Sequence, residues 1–415
     1  MSTSGSSPQR PISKKGPFRV LLLENIHVSA QEMLSAEGLS VERLSAALKP
    51  EELAERLQGV HLLGIRSKTT IPPSVLAKAK DLLAIGAFCI GTNQVDLPAA
   101  NQHGVPVFNA PFSNTRSVAE MVLAEVVVLT RQLFDRSREV HTGQWRKVAT
   151  GSHEVRGKTL GIIGYGHIGS QLGVLAESLG MRVLYYDVMT RLPLGNSRPV
   201  ATLAELLGQS DFVTLHVPAT PSTHMMMGAE QLAQMKPGAC LINASRGTVV
   251  DISALAQALR SKHLSGAAVD VYPEEPEGNS DGFVTELQGL SNVVLTPHIG
   301  GSTEEAQASI GKEVATSLLK FFKSGATTGA VNFPNVENPL IPGTHRILNV
   351  HRNTPGVLRD INRIVSDLNA NIHAQVLSTD SNIGYLVMDL DQDVSQQVCE
   401  AIASLSTDIK TRIVS

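Results

Sequence analysis

Short apolar runs and segments of helical spacing alternate along the first hundred residues of the chain. Residues 29–38 and 50–58 repeat apolar positions at helical spacing. The apolar runs between them are short and rich in branched side chains, as buried strands are. This β-α-β alternation predicts a parallel sheet with helices on its faces. The runs predicted as strands are FRVLLLENI, VHLLGIRSK, LLAIGAFCIGTNQVD and VPVFNAP, beginning at Phe18, Val60, Leu82 and Val105.

A second series of alternations follows a long helical segment. We predict one helix from Thr115 to His141, and Ser117 and Glu120 have the spacing of a capping box near its start. Next, KTLGIIGYGHIGSQLGVLAESLGMRVLYYD has the pattern of a strand, a glycine turn, a helix and another strand. The runs DFVTLHVP, CLINASRG, GAAVDVYP and VVLTPHIGG are near-continuously apolar and end in polar loops. Such strands are typical of a sheet that is covered on both faces.

The pattern changes after about Asn332. The segment NFPNVENPLIPG is rich in proline and asparagine and has little periodicity, so we predict a linker. Beyond it, HRILNVH, AQVLSTD, GYLVMDL and IKTRIV are strand-like, and TPGVLRDINRIVSDLNA and VSQQVCEAIASL have helical spacing. Pro355 is placed to start the first of these helices. The resulting order, βαββαβ, is that of the ferredoxin-like motif.

The glycine turn lies in the context that a dinucleotide-binding motif requires, after a strand and at the start of a helix. Gly164 permits the tight turn, Gly166 lets the backbone approach a pyrophosphate, and Gly169 lets helix and strand pack closely. The start of the helix offers free N–H groups to phosphates. Asp187 ends the next strand, where a carboxylate can bind the adenosine ribose and would repel a 2′-phosphate. The motif therefore predicts NAD as the cofactor in preference to NADP.

Three loops after later strands supply groups for hydride-transfer chemistry. They carry Arg246 in NASRG, Glu274 and Glu275 in VYPEEPEG, and His298 in LTPHIGG. Carboxyl ends of strands in a doubly wound sheet converge on the cofactor crevice. A histidine can take the proton of a hydroxyl group that is losing hydride, a neighbouring carboxylate would stabilise the imidazolium, and an arginine can bind a substrate carboxylate. Spacing alone does not choose between the two glutamates.

Composition and charge narrow the function classes. A chain of 415 residues is too long for one compact core, and a net charge of −3 gives no support to a nucleic-acid partner. Cys89, Cys240 and Cys399 have neither disulfide-framework nor zinc spacing, so we expect free thiols and no metal site. The apolar stretch at 121–129 is interrupted by an acidic residue and is too short to cross a membrane. Residues 1–16 lack the apolar core of a signal peptide; we expect a disordered tail and a cytoplasmic protein.

Nearly the whole chain after this tail resembles the D-2-hydroxyacid dehydrogenase family. The matching motifs are GYGHIG, NASRG, the Glu-Pro at 275–276 and TPHIGGST, joined by FCIGTNQVD, FSNTRSVAE and AVNFP outside the nucleotide-binding region. The resemblance implies that Arg246 binds the substrate carboxylate and carbonyl, that Glu275 orients the histidine, and that His298 is the acid/base. It also implies cofactor contacts from Gly164, Gly166, His167, Ile168, Gly169, Asp187, Ala244, Ser245, Arg246, Asp270, His298, Gly300 and Gly301.

In this family the nucleotide-binding domain is inserted into the substrate-binding domain. The resemblance therefore implies an α/β fold with two Rossmann-like lobes, which close on the substrate and expel water, and a C-terminal ferredoxin-like unit. A helix at 303–322 would return the chain to the first lobe. We expect a substrate-binding domain at 17–113 and 301–336, an NAD-binding domain at 114–300, and a regulatory domain at 343–415.

A phosphorylated three-carbon substrate would demand cations outside the three loops. Arg66 and Lys68 lie in IRSKT, and Lys147 lies in QWRKVATGS. The resemblance places Arg66 against the phosphate and Lys147 near the active site of a neighbouring subunit, and it adds Asn114 to the substrate contacts. Lys68 stands where the family would have arginine, which weakens a bidentate grip without removing the charge. The expected reaction is NAD-dependent oxidation of 3-phosphoglycerate to 3-phosphohydroxypyruvate, the first step of L-serine synthesis.

Other activities remain open at this point. Reduction of 2-oxoglutarate to 2-hydroxyglutarate is expected in addition, because Arg246 would bind any 2-oxo acid. Hydroxypyruvate and glyoxylate reductases share the three catalytic groups but usually lack the C-terminal unit. An NAD-sensing co-repressor would share the fold but would not need the phosphate-site cations.

The C-terminal unit resembles an ACT domain, a small module that binds amino acids at the interface of two copies. The resemblance implies a site for L-serine, with His351 and Asn353 on one side and Asn371 on the other. Arg352, between the first two, is not a residue that the motif needs. We therefore expect a homo-oligomer, a homotetramer, with feedback inhibition transmitted through the linker to the substrate-binding lobe.

Overall fold

The computed structural model describes residues 17–276, 281–391 and 394–414. The tail predicted at 1–16 lies outside the described residues. The chain divides into two compact units: one contains the part up to Ser113 together with the part from Gln307 onward, and the other contains Asn114–Ala306. The first unit is therefore discontinuous in sequence, and the second is inserted into it.

The first unit begins with alternating strands and helices, as the apolar runs predict. Its elements are β1 (Arg19–Leu22), α1 (Val28–Ala36), β2 (Ser40–Arg43), α2 (Pro50–Arg56), β3 (Leu62–Ile65), α3 (Pro73–Leu76), β4 (Ala84–Ala87), α4 (Leu97–Gln102) and β5 (Val107–Asn109). In the described chain these strands form a five-stranded parallel sheet in the order β2-β1-β3-β4-β5. The sequence SVER of β2 has no apolar run, so the pattern does not predict this partly exposed edge strand.

The segment predicted as one helix, from Thr115 to His141, forms two helices, so the prediction is wrong at the point where they separate. Helix α5 (Thr115–Arg131) ends at Gln132, whose backbone is left-handed with φ of 51°, and α6 (Leu133–His141) starts after it. The predicted capping box is also wrong. Ser117 lies inside α5, where its hydroxyl is 2.8 Å from the Thr303 hydroxyl, and Glu120 pairs with Arg116 one turn earlier.

The second unit is built on a larger parallel sheet. Its elements are β6 (Thr159–Ile163), α7 (His167–Ser178), β7 (Arg182–Tyr186), β8 (Arg198–Pro199), α8 (Leu203–Gln209), β9 (Phe212–Leu215), α9 (Ala229–Gln234), β10 (Cys240–Asn243), α10 (Ile252–Arg260), β11 (Gly266–Val269) and β12 (Val293–Leu295). Over the described residues the seven strands lie in the order β12-β11-β10-β9-β6-β7-β8. The order reverses between β6 and β9, and this is where a doubly wound sheet binds its ligand.

The C-terminal part of the first unit begins with the returning helix α11 (Glu304–Ser324). It is followed by the predicted βαββαβ unit: β13 (His345–Arg352), α12 (Val357–Asp367), β14 (Ile372–Thr379), β15 (Ile383–Leu390), α13 (Ser395–Ala403) and β16 (Asp408–Val414). The antiparallel strand order is β14-β15-β13-β16 among the described residues. Pro355 does not start α12 as predicted; the helix begins two residues later, after Gly356 with φ of 96°.

The two faces of this antiparallel sheet are covered by different parts of the chain. Ile347 and Leu386 pack against α12 and α13. Leu348 and Tyr385, on the opposite face, belong to the same buried cluster as Val314 of α11. Because strand residues alternate between faces, one sheet serves both cores, and the C-terminal unit packs directly on the returning helix.

The segment predicted as a linker, residues 332–343, contains neither helix nor strand. It is nevertheless held in place, because the Asn332 side chain accepts from the N–H of Val107 at 2.8 Å and donates to the carbonyl of Val105 at 3.1 Å. The segment is therefore irregular, as predicted, but fixed to the first sheet.

Two further sequence predictions concern membranes and thiols. Of the helices that the structure describes, none is long and apolar enough to cross a membrane. The three cysteines are free thiols, with Cys240 and Cys399 buried and Cys89 half-buried.

Candidate functional site

The glycine turn between β6 and α7 has the local geometry that each of its glycines was predicted to supply. Gly164 has φ of 91°, and a side chain there would meet the carbonyl oxygen of His216. A side chain on Gly169 would meet the carbonyl oxygen of Gly164. A Cβ on Gly166 would have no neighbour within 4 Å, so open space lies beside the start of α7. These positions fit the pyrophosphate of a dinucleotide, which would approach the backbone of Gly166 and the first N–H groups of the helix.

Asp187 follows β7 and is tied to the same turn. Its Oδ2 accepts from the N–H of Tyr165 at 2.8 Å, and its Oδ1 accepts from the N–H of Met189 at 2.8 Å. Arg191 lies 3.6 Å from Oδ2, and the carboxylate side chain is only 10% exposed. The carboxylate is thus held in position beside the glycine turn, where the adenosine ribose of a dinucleotide is expected.

Arg246 lies in the loop after β10, and Asn243 at the end of that strand holds the loop in place. The Asn243 side chain accepts from the N–H of Ser245 at 3.1 Å and donates to the carbonyl of Arg246 at 3.1 Å. The Arg246 guanidinium, which is half-buried, donates to the carbonyl of Ser245 at 2.7 Å. Asn243 begins the NASRG motif, but no sequence signal indicates that its side chain holds the loop.

Glu275 and His298 are brought together at the ends of β11 and β12. His298 Nδ1 lies 2.7 Å from Oε2 of Glu275, and Oε1 accepts from the N–H of Tyr272 at 3.0 Å. Since Nδ1 is engaged by the carboxylate, Nε2 is the nitrogen left to exchange a proton. Glu274 makes no contact of this kind with any residue in the described part of the chain.

Asp270 fixes the loop that carries the histidine. Its backbone carbonyl accepts from the N–H of His298, and its buried carboxylate accepts from the N–H groups of Ile299 and Gly300 at 2.8 and 2.9 Å. His298 itself has a left-handed backbone with φ of 54°. Such a conformation persists only where the surroundings impose it, and the Asp270 contacts supply that constraint.

The contact between Glu275 and His298 shifts the pKa values of the two groups in opposite directions. The hydrogen bond that His298 donates to the Glu275 carboxylate raises the pKa of His298 above its usual value, against the opposing effect of burial. Burial alone would raise the pKa of Glu275, but hydrogen bonds from His298 and from the Tyr272 N–H lower it below its usual value. The arrangement therefore favours an imidazolium–carboxylate pair over two neutral groups.

This pairing predicts the pH dependence of turnover. With His298 in its predicted role of acid/base, oxidation of an alcohol would need the neutral imidazole, so we expect its rate to rise with pH through the raised pKa; reduction would need the imidazolium, and we expect it to slow over the same range. In Glu275→Gln the interaction that raises the pKa of His298 is lost, so we expect the pH profiles of both oxidation and reduction to move to lower pH. Initial rates in both directions between about pH 5 and pH 10 measure this. A Glu274→Gln variant is the matched control, and equal shifts in both variants would contradict the assignment of Glu275.

The remaining predicted residues lie in three places. Arg66 and Lys68 follow β3 in the first unit; Asn114 and Lys147 belong to the second, Asn114 preceding α5 and Lys147 lying in an exposed loop. Of the effector candidates, His351 lies in β13, Asn353 follows that strand, and Asn371 precedes β14. Within the described residues there is no cluster of three or more histidine, cysteine or acidic side chains that could hold a metal.

Comparison with protein families identifies two segments. Residues 123–300 match the family described as D-isomer specific 2-hydroxyacid dehydrogenase, NAD binding domain. Residues 347–410 match the family described as AHAS small subunit-like ACT domain. The first match contains the glycine turn and the three loops of the candidate site, and the second covers most of the βαββαβ unit.

Named relatives cover nearly the entire chain. It is 55% identical to D-3-phosphoglycerate dehydrogenase of Dictyostelium discoideum and 52% identical to that of Escherichia coli strain K12, over 96% of this chain and 98% of each relative. Among solved structures, the D-lactate dehydrogenase of Aquifex aeolicus, complexed with NAD and lactic acid, is 28% identical with a TM-score of 0.67. It covers 76% of this chain and 100% of that one.

Proposed function

Because the chain belongs to the D-3-phosphoglycerate dehydrogenases of the D-isomer specific 2-hydroxyacid dehydrogenase family, we propose that it oxidises 3-phosphoglycerate to 3-phosphohydroxypyruvate. The observation that carries this proposal is the Glu275–His298 pair beside Arg246, in a chain that shares more than half of its residues with named relatives. It is an NAD-dependent oxidoreductase, and NAD supplies the hydride acceptor when bound.

Each catalytic side chain has a separate task in this reaction. Arg246 binds the substrate carboxylate by paired hydrogen bonds, which orients the carbon that carries the hydroxyl group. His298 takes the hydroxyl proton at Nε2 as the C–H bond breaks, and Glu275 stabilises the imidazolium that results. In the reverse direction the same imidazolium returns the proton to the oxygen of the 2-oxo acid.

The cofactor contacts are proposed on the geometry of the glycine turn. The open space at Gly166 and the N–H groups at the start of α7 would hold the pyrophosphate. Asp187, fixed by the N–H of Tyr165, would accept from the ribose hydroxyls. His167, Ile168, Ala244, Ser245, Asp270, Gly300 and Gly301 complete the proposed set.

We assign the substrate phosphate to Arg66 and Lys68, with Lys147 contributed to a neighbouring subunit and Asn114 as a further substrate contact. Arg66 is half-buried and Lys68 is exposed, so both charges are accessible to solvent. These cations and the ACT domain argue against a simple hydroxypyruvate or glyoxylate reductase and against a co-repressor. Reduction of 2-oxoglutarate is proposed as a side activity, because Arg246 recognises the 2-oxo acid group common to all these substrates.

Strand register supports an effector site shared by two copies of the chain. His351 pairs with Gly384 and lies at one end of the antiparallel sheet, whereas Asn371 precedes Ile372, which pairs with Leu390 at the other end. Six residue steps along β13, from His345 to His351, separate these ends, or about 20 Å at roughly 3.4 Å per residue. One small amino acid can therefore contact both His351 and Asn371 only if they come from different copies.

We propose L-serine as the effector and a homotetramer as the assembly. Binding of serine to the homotetramer would inhibit the oxidation of 3-phosphoglycerate. The His351 imidazole is buried and engaged by the Asn349 side chain at 2.7 Å, and Asn353 donates to the carbonyl of Asp380 at 2.7 Å. Both contacts hold in place side chains that would bind the effector carboxylate and ammonium groups.

The test is the rate of NADH formation as L-serine is added. We expect serine to suppress turnover of the wild-type enzyme and to lose most of its effect in His351→Ala. His103→Ala, which removes a half-buried imidazole at the residue that follows α4, is the matched control and should stay sensitive. Turnover that serine does not change in the wild type would contradict serine as the effector and leave the catalytic proposal standing.

A further inference from the structure

The loop that carries Arg66 and Lys68 is built around a carboxylate from a different strand. Glu24, which follows β1, accepts three backbone hydrogen bonds from this loop. Its Oε1 accepts from the N–H of Arg66 at 3.1 Å and of Thr69 at 2.9 Å, and its Oε2 accepts from the N–H of Lys68 at 2.9 Å. Strands β1 and β3 are parallel neighbours, so the two loops meet at the same edge of the sheet.

A second buried side chain, that of Gln94, also holds the loop. Gln94 donates to the carbonyl of Arg66 at 2.6 Å, and both Gln94 and Glu24 are only 7% exposed. Glu24 and Asn25 have left-handed backbones with φ of 58° and 52°, a conformation that is costly for glutamate. The Glu24 carboxylate thus accepts hydrogen bonds from three N–H groups while its own backbone is strained, and such a strained conformation persists only where the surrounding structure imposes it.

Successive backbone N–H groups that point to one place usually bind an external anion. In this loop an internal carboxylate already fills that place. A substrate phosphate would therefore find the backbone donors occupied, and the groups left to bind it are the side chains of Arg66 and Lys68.

We propose that Glu24 is a positioning residue for phosphate recognition: its carboxylate fixes the 66–69 loop before substrate binds, so that Arg66 and Lys68 are presented without an ordering cost. This inference rests on the proposed function, which assigns the substrate phosphate to these two cations. Preorganised groups bind more tightly because less freedom is lost on binding. Glu24 itself does not touch the substrate.

A pair of substrates that differ only in the phosphate isolates this role. In the reductive direction we compare 3-phosphohydroxypyruvate with hydroxypyruvate for Glu24→Gln, in which the amide nitrogen would face N–H donors. We expect the KM for the phosphorylated substrate to rise about tenfold, the size of one lost charge-assisted hydrogen bond. The KM for hydroxypyruvate should change by less than about twofold, within the usual effect of a neutral substitution.

Two further variants keep the test decisive. Gln94→Ala loosens the same loop from its other side and should raise the same KM in the same direction, so the outcome does not depend on Glu24→Gln folding well. Glu52→Gln, an exposed glutamate of α2, is the matched control and should leave both KM values unchanged. A proportional loss of activity toward both substrates in Glu24→Gln and Gln94→Ala would overturn the inference, since that is the result of a merely structural role.

Combination with Arg66→Ala separates this inference from the assignment on which it rests. If Arg66→Ala raises the KM for 3-phosphohydroxypyruvate and Glu24→Gln adds nothing in that background, the two residues act as one unit. If Arg66→Ala leaves that KM unchanged, the phosphate assignment fails, and this inference fails with it. If Arg66→Ala raises the KM but Glu24→Gln does not, only the role of Glu24 is wrong.

Discussion

Turnover of the His298→Asn variant should fall about 10²- to 10⁴-fold while NADH still binds, because general acid–base catalysis contributes on that order. Asparagine cannot take up the hydroxyl proton, yet it tolerates the left-handed backbone that His298 adopts at φ of 54°. The backbone N–H of residue 298 keeps its bond to the carbonyl of Asp270. The loop should therefore hold its shape, and only the chemistry should be lost.

Single-turnover kinetics and NADH fluorescence titration measure the two quantities separately. His153→Asn, which removes an exposed imidazole from the same unit, is the matched control and should retain full activity. Loss of NADH affinity in His298→Asn comparable to its loss of turnover would contradict the assignment, because the lost turnover would then follow from lost cofactor binding and not from lost acid–base chemistry.

Arg346→Met should lower the stability of the first unit by about 3–5 kcal/mol, the typical result of removing one partner from a buried ion pair. Arg346 and Asp389 are 1% and 0% exposed, and they are joined by two hydrogen bonds of 2.6 and 2.7 Å. The same guanidinium donates to the carbonyls of Ser324, Asn338 and Pro339. All five of its N–H donors are thus used, and they join α11, the 332–343 segment and the C-terminal sheet.

Urea unfolding followed by circular dichroism measures this loss of stability as a lower urea concentration at the midpoint of the first unfolding transition. Arg363→Met is the matched control, because the Arg363–Asp367 pair on α12 is exposed and 3.6 Å long, and such pairs contribute about 1 kcal/mol or less. In the double variant Arg346→Met/Asp389→Leu we expect partial recovery, since no unpaired charge stays buried. A first transition that shifts no further in Arg346→Met than in Arg363→Met would contradict this account.

Sequence patterns predicted the elements that depend on local chemistry and missed those that depend on contacts between distant segments. The strand–turn–helix at Gly164 is fixed by backbone geometry that only glycine adopts easily, so the pattern identified it. The break at Gln132 and the presence of the edge strand β2 depend on packing. Neither the sequence SVER nor the residues around Gln132 predict them. For the same reason the pattern predicted one helix where α5 and α6 are separate.

The candidate site shows the same division. Arg246, His298 and the Glu274–Glu275 pair were predicted because each stands after an apolar run within a specific motif, and it is Glu275 that contacts His298 in the structure. Asn243, Glu24 and Gln94 position their loops through contacts that the sequence does not reveal. Glu125 was noted only as an interruption of an apolar stretch; it is 5% exposed, and burial, with the charge of Asp270, raises its pKa to about 8. A helix that is apolar around this position can therefore accept the residue as a neutral acid.

The most direct test of the account is the initial rate of NADH formation from 3-phosphoglycerate, compared in the same enzyme with the rates of hydroxypyruvate and glyoxylate reduction. We expect efficient oxidation of 3-phosphoglycerate, which Arg66→Ala weakens through KM and which His298→Asn slows through kcat. Reduction of hydroxypyruvate or glyoxylate without any turnover of 3-phosphoglycerate would contradict the substrate proposal and would show that Arg66 and Lys68 do not form a phosphate site.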